Sequence, residues 1–249
     1  MTTLAENFER LEEAIALACR GAGRARREVE LMAVSKTYPA TTIAEASALG
    51  MRLFGENRVQ EFAAKAGEIV RLRSESEEPG AGQGAIRVHL IGHLQSNKAA
   101  KAVELFDGVD SVDSVRLAER LNDAAGKLGK RLSVLIEVKL SNEETKAGLE
   151  PGSEEASRLL ERLPDLAHLE TRGLMTIAPW GVAEDVTRVC FRSLREWRDR
   201  WAAAHSQLKL DVLSMGMSGD FGIAIEEGAT RIRVGTALFG KRAPYTGLA

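Results

Sequence analysis

Leu4, Phe8, Leu11, Ile15 and Cys19 recur at helical spacing, and the run stops at Gly21 and Gly23. This predicts an amphipathic opening helix closed by glycine. The period then changes. Residues 29–34 form a short, nearly unbroken apolar run ending at Ser35 and Lys36, which reads as a buried strand. Thr41 or Thr42 then caps a helix through Leu49, with Gly50 as its stop. Residues 51–54 are again strand-like, and Val59, Phe62, Ala63, Ala66, Ile69 and Val70 stripe one further helix. Strands are predicted next at 86–91, 109–112, 132–138, 166–175, 210–213 and 231–234. Helices follow them at 97–105, 115–128, 154–163 and 221–227, and a last one starts at Thr236. A long helix after the sixth strand is striped by Val186, Val189, Cys190, Leu194, Trp197 and Trp201.

Strands that alternate with helices imply a parallel sheet, because parallel neighbours need crossover connections. Eight such units in 249 residues fit an α/β fold, the TIM-like (β/α)8 barrel. A doubly wound open sheet is the alternative, and its dinucleotide-binding form lacks support because no GxGxxG follows a strand. Residues 73–85 (RSESEEPGAGQGA) are the one low-complexity stretch and are expected to form a mobile surface loop. The same rhythm resumes beyond them, so residues 1–249 are expected to form a single barrel domain.

Charge narrows the function classes. The 34 Lys+Arg and 36 Asp+Glu leave a net charge of -2, which argues against a protein that coats nucleic acid or anionic lipid. No apolar run is long enough to span a membrane, and Glu6, Glu9, Arg10, Glu12 and Glu13 leave no room for a signal-peptide core. Cys19 and Cys190 form neither a disulfide framework nor a metal-spaced cluster, so a cytoplasmic location is expected. His89 and His93 are four apart, but they fall on a strand and a turn, which disfavours a metal pair.

In a barrel of this kind the active face lies at the C-terminal ends of the strands. The polar residues there include Lys36, Glu56, Asn57, His93, Gln95, Asn97, Lys139, Asn142, Thr176, Ser214, Ser218, Arg233, Gly235 and Thr236. Lys36 ends a buried strand, and partial desolvation there would lower its pKa and free the amine for Schiff-base chemistry. The competing reading is a lysine reaching out to water from a strand end. The glycine-rich segment 214–220 and Gly235-Thr236 each precede a helix in the last two units, where barrels commonly bind phosphate. Ordinary turn chemistry competes at either segment alone, and the pair together favours phosphate. Arg231 and Arg233 share one side of the last strand, and spacing alone favours a solvated or helix-paired role for them. A Schiff-base lysine with a phosphate site suits a phosphorylated sugar, as in a lysine-dependent aldolase, or pyridoxal 5′-phosphate (PLP). Spacing leaves both open.

Together these segments resemble the PLP-binding homeostasis protein family. The resemblance is carried in order by residues 33–37 (AVSKT), 55–57 (GEN), 89–98 (HLIGHLQSNK), 172–175 (RGLM), 214–218 (SMGMS) and 233–236 (RVGT), and covers nearly the whole chain. It implies a fold similar to the barrel domain of alanine racemase, binding PLP as fold-type III enzymes do. It implies that Lys36 carries the cofactor as a Schiff base. Ser214, Gly235 and Thr236 would hold the phosphate with Ser218 nearby, Asn57 would lie beside the ring, and Arg233 would face the pyridine nitrogen. The family is regarded as PLP carriers or regulators of vitamin B6 and amino-acid balance, without established turnover, and its implied recipients are apo forms of PLP-dependent enzymes.

An arginine facing the ring nitrogen disfavours the protonated pyridinium and so weakens PLP as an electron sink. A racemase-like enzyme is the alternative reading, but only residues 237–249 follow Thr236, too few for the second domain of alanine racemase, so a monomer is expected. Tyr38, beside the lysine, is a candidate base to test, and Tyr245 lies near the end. Asn142 and Lys146 resemble the family's loop after the fifth strand. Lys146 reads as a solvated lysine, with transient acceptance of PLP as the competing role. A third class is an interaction protein that carries PLP, for which the Trp180 turn and residues 73–85 are candidate contact surfaces.

Overall fold

Strand β1 (Glu30–Val34) carries buried side chains on both faces and needs cover on both. One face looks into a barrel and the other lies under helices. The same holds around the ring for β2 (Leu53–Glu56), β3 (Arg87–Leu90), β4 (Gly108–Val112), β5 (Leu132–Glu137), β6 (Leu169–Met175), β7 (Val212–Ser214) and β8 (Arg231–Val234). All neighbours are parallel and β8 returns to β1, closing the eight-stranded barrel that the alternation predicts. Ala33 pairs with Phe54 on one side and with Val234 on the other. The computed structural model describes residues 2–76, 85–141 and 147–240.

The helices form the outer layer. They are α1 (Leu4–Gly21), α2 (Ala40–Ala48), α3 (Val59–Ala63), α4 (Ala66–Ser76), α5 (Ala99–Leu105), α6 (Val115–Lys127), α7 (Glu154–Arg162), α8 (Glu184–Ala204), α9 (Phe221–Glu226) and α10 (Thr236–Phe239). Thr3 starts α1 with a capping box: its hydroxyl accepts from the Glu6 amide at 3.2 Å, and the Glu6 carboxylate accepts from the Thr3 amide at 2.8 Å. The main core lies between sheet and helices, where Ile15, Phe54, Phe62, Phe106 and Phe191 are fully buried. Burying each such side chain contributes about 1.5–3 kcal/mol.

Four local expectations change. Neither Thr41 nor Thr42 caps α2, because the helix begins at Ala40 with Pro39 in the capping position, a φ of -69° already suiting a helix start. The single helix expected across residues 59–70 is broken between α3 and α4. At the break Lys65 Nζ donates to the carbonyls of Ser35 (3.1 Å) and Tyr38 (2.8 Å) and pairs with Glu56 at 2.8 Å. Val70 on α4 is exposed, and so are Val186 and Val189, since α8 instead buries Thr187, Cys190, Phe191, Leu194 and Trp201. Arg73 is helical and pairs with Asp107 at 2.5 Å, because α4 runs on through Ser76; residues 77–84 lie outside the described residues.

The barrel interior is layered. Met32, Val34, Leu53 and Ile91 form an apolar cluster separate from the main core. Polar groups lie nearer the start of the strands. Arg231 bonds Glu30 (2.9 Å) and Asp110 (3.2 Å), and Asp110 lies 2.8 Å from His89 Nδ1. Arg231 and Arg233 therefore point into the barrel, which corrects the solvated or helix-paired reading: Glu30 and Asp110 pair with Arg231, Asp110 and Glu137 give Arg233 longer-range counter-charge, and all three carboxylates lie on other strands that local spacing does not see.

Candidate functional site

Lys36 follows β1 at the C-terminal mouth of the barrel and is half-buried. The next residue, Thr37, has φ 70°, a left-handed conformation rare for a β-branched residue, and its amide donates to the Glu61 carboxylate on α3. Lys36 lines a cavity of about 380 Å³ together with Asn57, Ser218, Arg233, Gly235 and Thr236. Val34, Ile91 and Ile177 add apolar wall, and Trp180, 90% exposed, stands at the rim. Residues from six strand ends thus converge on one space.

Arg233 is its buried cation. Nη1 donates to Ser214 O at 2.7 Å and to Ser214 Oγ at 2.9 Å, and Nη2 donates to Thr176 O at 2.8 Å. Burial pushes its pKa down, while Asp110 and Glu137 pull it up. A guanidinium so held remains charged.

The opposite side is built from amides and hydroxyls. Ser218 Oγ accepts from the Ala237 amide at 3.3 Å, and Asp220 accepts from the Met217 amide at 2.5 Å. The loop needs glycine at 216, whose φ is 92° and where a Cβ would lie 2.6 Å from Ala224 Cβ. Across the mouth, a Cβ on Gly92 would lie 2.2 Å from Asn57 O, so this glycine is what lets Asn57 reach the cavity.

Six of the seven expected cofactor residues share this cavity. Ser214 does not line it: it is fully buried at the end of β7 with its hydroxyl on Arg233. Tyr38 does not line it either, because its hydroxyl donates to Gly240 O at 3.0 Å and its ring packs on Phe239. Glu56 faces outward, buried against Ser35 and Lys65, and burial raises its pKa above the usual carboxylate value. Asn142, Lys146 and Tyr245 lie outside the described residues.

The sequence reading missed Glu137. It ends β5, is buried, and lines an adjoining cavity of about 270 Å³. Burial, aided by the nearby Asp113 carboxylate and opposed by Arg233, pushes its pKa up to about 7. The available signal was a lone carboxylate in the otherwise apolar run 134–138.

Chemically, one amine, one guanidinium and a rim of hydroxyl and amide donors suit an aldehyde that also carries an anion. Among the described residues no helix is long and apolar enough to cross a membrane. Residues 7–243 match the family described as alanine racemase, N-terminal domain. A pyridoxal phosphate homeostasis protein of Vibrio cholerae is 40% identical over 243 residues, covering 97% of this chain and 98% of that protein. The protein of that name in Escherichia coli is 37% identical, with coverage of 97% and 98%. The structure of PipY from Synechococcus elongatus with PLP bound is 42% identical at a TM-score of 0.80, covering 96% of this chain and 100% of that one. An alanine racemase of Clostridium difficile shares the fold at 15% identity and a TM-score of 0.65, and the match covers 94% of this chain but 57% of that one. A family match across the barrel, with relatives matched over nearly their whole length, means that the chain belongs to the pyridoxal phosphate homeostasis proteins of the alanine racemase N-terminal domain family.

Proposed function

We propose that this protein binds PLP through Lys36 and acts as a carrier or regulator of PLP, as a cytoplasmic monomer serving apo PLP-dependent enzymes. The observation that carries the reading is the single cavity shared by Lys36, Arg233, Ser218, Gly235 and Thr236. The residues present fit the cofactor: the lysine amine for its aldehyde, hydroxyl and amide donors for its phosphate, and apolar Val34 and Ile91 for its ring. A cavity of about 380 Å³ falls in the usual range for a small ligand. When bound, PLP supplies an aldehyde and an electron-withdrawing ring.

The chain's own residues set how that chemistry is used. Lys36 holds the ligand covalently. Arg233 places a fixed positive charge in the cavity, and a cation there disfavours a protonated pyridine nitrogen. Ser214 and Thr176 keep the guanidinium in place. This arrangement favours holding PLP over catalysing carbanion chemistry with it. The racemase-like alternative shares these residues and differs in requiring proton exchange at an amino acid's α-carbon.

The test is the absorbance of purified protein with added PLP, beside Lys36→Ala. The expected result is a lysine-linked band in the wild type that is missing in the variant, with no α-proton exchange in deuterated water across a panel of amino acids. A wild type without the band would overturn the binding site, and exchange abolished by Lys36→Ala would establish the enzyme instead.

A further inference from the structure

Lys65, Glu56 and Glu61 do not line the Lys36 cavity, yet they grip the segment that carries Lys36. Lys65 sits at the break between α3 and α4, and its side chain is 11% exposed. A lysine ammonium has three protons to donate. Ser35 O lies 3.1 Å from Lys65 Nζ, Tyr38 O 2.8 Å and Glu56 Oε1 2.8 Å, so all three donors are used. Glu56, fully buried at the end of β2, also accepts from Ser35 Oγ at 2.6 Å. Glu61 on α3 accepts from the Thr37 amide. Lys36 is thus held through both of its chain neighbours and through Tyr38.

Two features give this grip a purpose beyond stability. A buried Lys–Glu pair must offset the desolvation of both ions, and apolar residues of similar volume are often as stable or more so. Thr37 keeps a φ of 70°, which glycine would take without strain. Such strain persists only where the surroundings over-determine it. The surroundings here are those same bonds: Glu61 at Thr37 itself, and Lys65 on the residues to either side of the Lys36-Thr37 pair.

We propose that Lys65 is a positioning residue for Lys36. Through the Ser35 and Tyr38 carbonyls it fixes the direction in which the Lys36 amine enters the cavity. Glu56 anchors Lys65, and Glu61 holds Thr37 in its strained turn. That the amine is aimed at PLP rests on the reading above, whereas its being aimed at all does not. Misplacing a reacting group by about 1 Å costs on the order of a hundredfold in rate. Loosening the grip is therefore expected to slow the covalent link and to spare binding of the rest of the cofactor.

The test uses Lys65→Met, which keeps the stem and removes the three donors, and Glu61→Ala, which removes one acceptor and carries the test should Lys65→Met not fold. In PLP-free protein the Lys36 Cε–H signal is followed by NMR, assigned by its loss in Lys36→Ala. It is expected to be dispersed in the wild type and averaged toward the free-lysine position in Lys65→Met at a retained melting temperature. With PLP, the rate at which the lysine-linked band appears is expected to fall about tenfold or more in Lys65→Met, with a smaller slowing in Glu61→Ala. Affinity for pyridoxine 5′-phosphate, which has no aldehyde, is expected to stay within about twofold. An unchanged Lys36 signal and rate in the folded variants would overturn the proposal. So would an equal loss of linkage rate and pyridoxine 5′-phosphate affinity, which marks general damage to the site. A wild type with no lysine-linked band, but with a dispersed Lys36 signal that averages in Lys65→Met, would sink the PLP reading and leave the positioning role standing.

Discussion

Asp110→Asn probes the charge arrangement beneath the site. Asp110 is fully buried, bonded to Arg231 at 3.2 Å and lying 2.8 Å from His89, and its charge also acts on Arg233. Burial alone would raise its pKa, but His89, Arg231 and Arg233 outweigh burial and hold it below the usual carboxylate value. The substitution keeps shape and removes one negative charge. Arg231 then retains only Glu30, and Arg233 loses its largest source of negative potential. Breaking a buried ion pair on one side costs about 3–5 kcal/mol. At about 2–4 °C per kcal/mol for a protein of this size, the melting temperature falls by roughly 6–20 °C. The assay is urea unfolding across pH. A carboxylate with a depressed folded pKa contributes stability above its unfolded pKa and loses it as pH falls through the folded value. The gap between wild type and variant is therefore full at pH 7 and closes below about pH 4. A loss under about 1 kcal/mol at pH 7, or a gap that does not close in acid, would refute the reasoning.

Other perturbations read the site directly. Gly92→Ala drives a methyl group to 2.2 Å from Asn57 O, so PLP affinity is expected to fall about tenfold or more by equilibrium dialysis, with a stability cost of about 1–3 kcal/mol. Ser214→Ala removes one of three bonds to Arg233, and chemical denaturation is expected to show a loss of about 1.5–3 kcal/mol, the scale for a hydrogen bond to a charged group. Trp180→Ala, at a residue 90% exposed, is expected to change stability by less than about 0.5 kcal/mol while reducing the fluorescence quenched when PLP is added.

The site was legible to different depths. Lys36 and the Gly235-Thr236 pair could be found because strand ends in a barrel declare their position. The part played by Arg233 could not be read from spacing. Alternation along β8 put Arg231 and Arg233 on one side, but an arginine's partner is a matter of which strands meet. Asp110, Ser214 and Thr176 come from three other segments. Glu137 was passed over for the same reason: a carboxylate at a strand end becomes distinctive only when its neighbours bury it and leave one oxygen unbonded.

Local pattern suffices for the number and order of the strands, because hydrophobic period and glycine stops act over a few residues. It also marks which residues lie at the mouth. Long-range packing settles what local pattern leaves open. It breaks one helix at Lys65, where bonds to Ser35, Tyr38 and Glu56 converge. It leaves Val186 and Val189 exposed by fixing which face of α8 meets the sheet. It turns Ser214 from the cavity to Arg233 and Tyr38 to Gly240. Each is decided by groups distant along the chain, since burial and charge pairing depend on the three-dimensional neighbourhood.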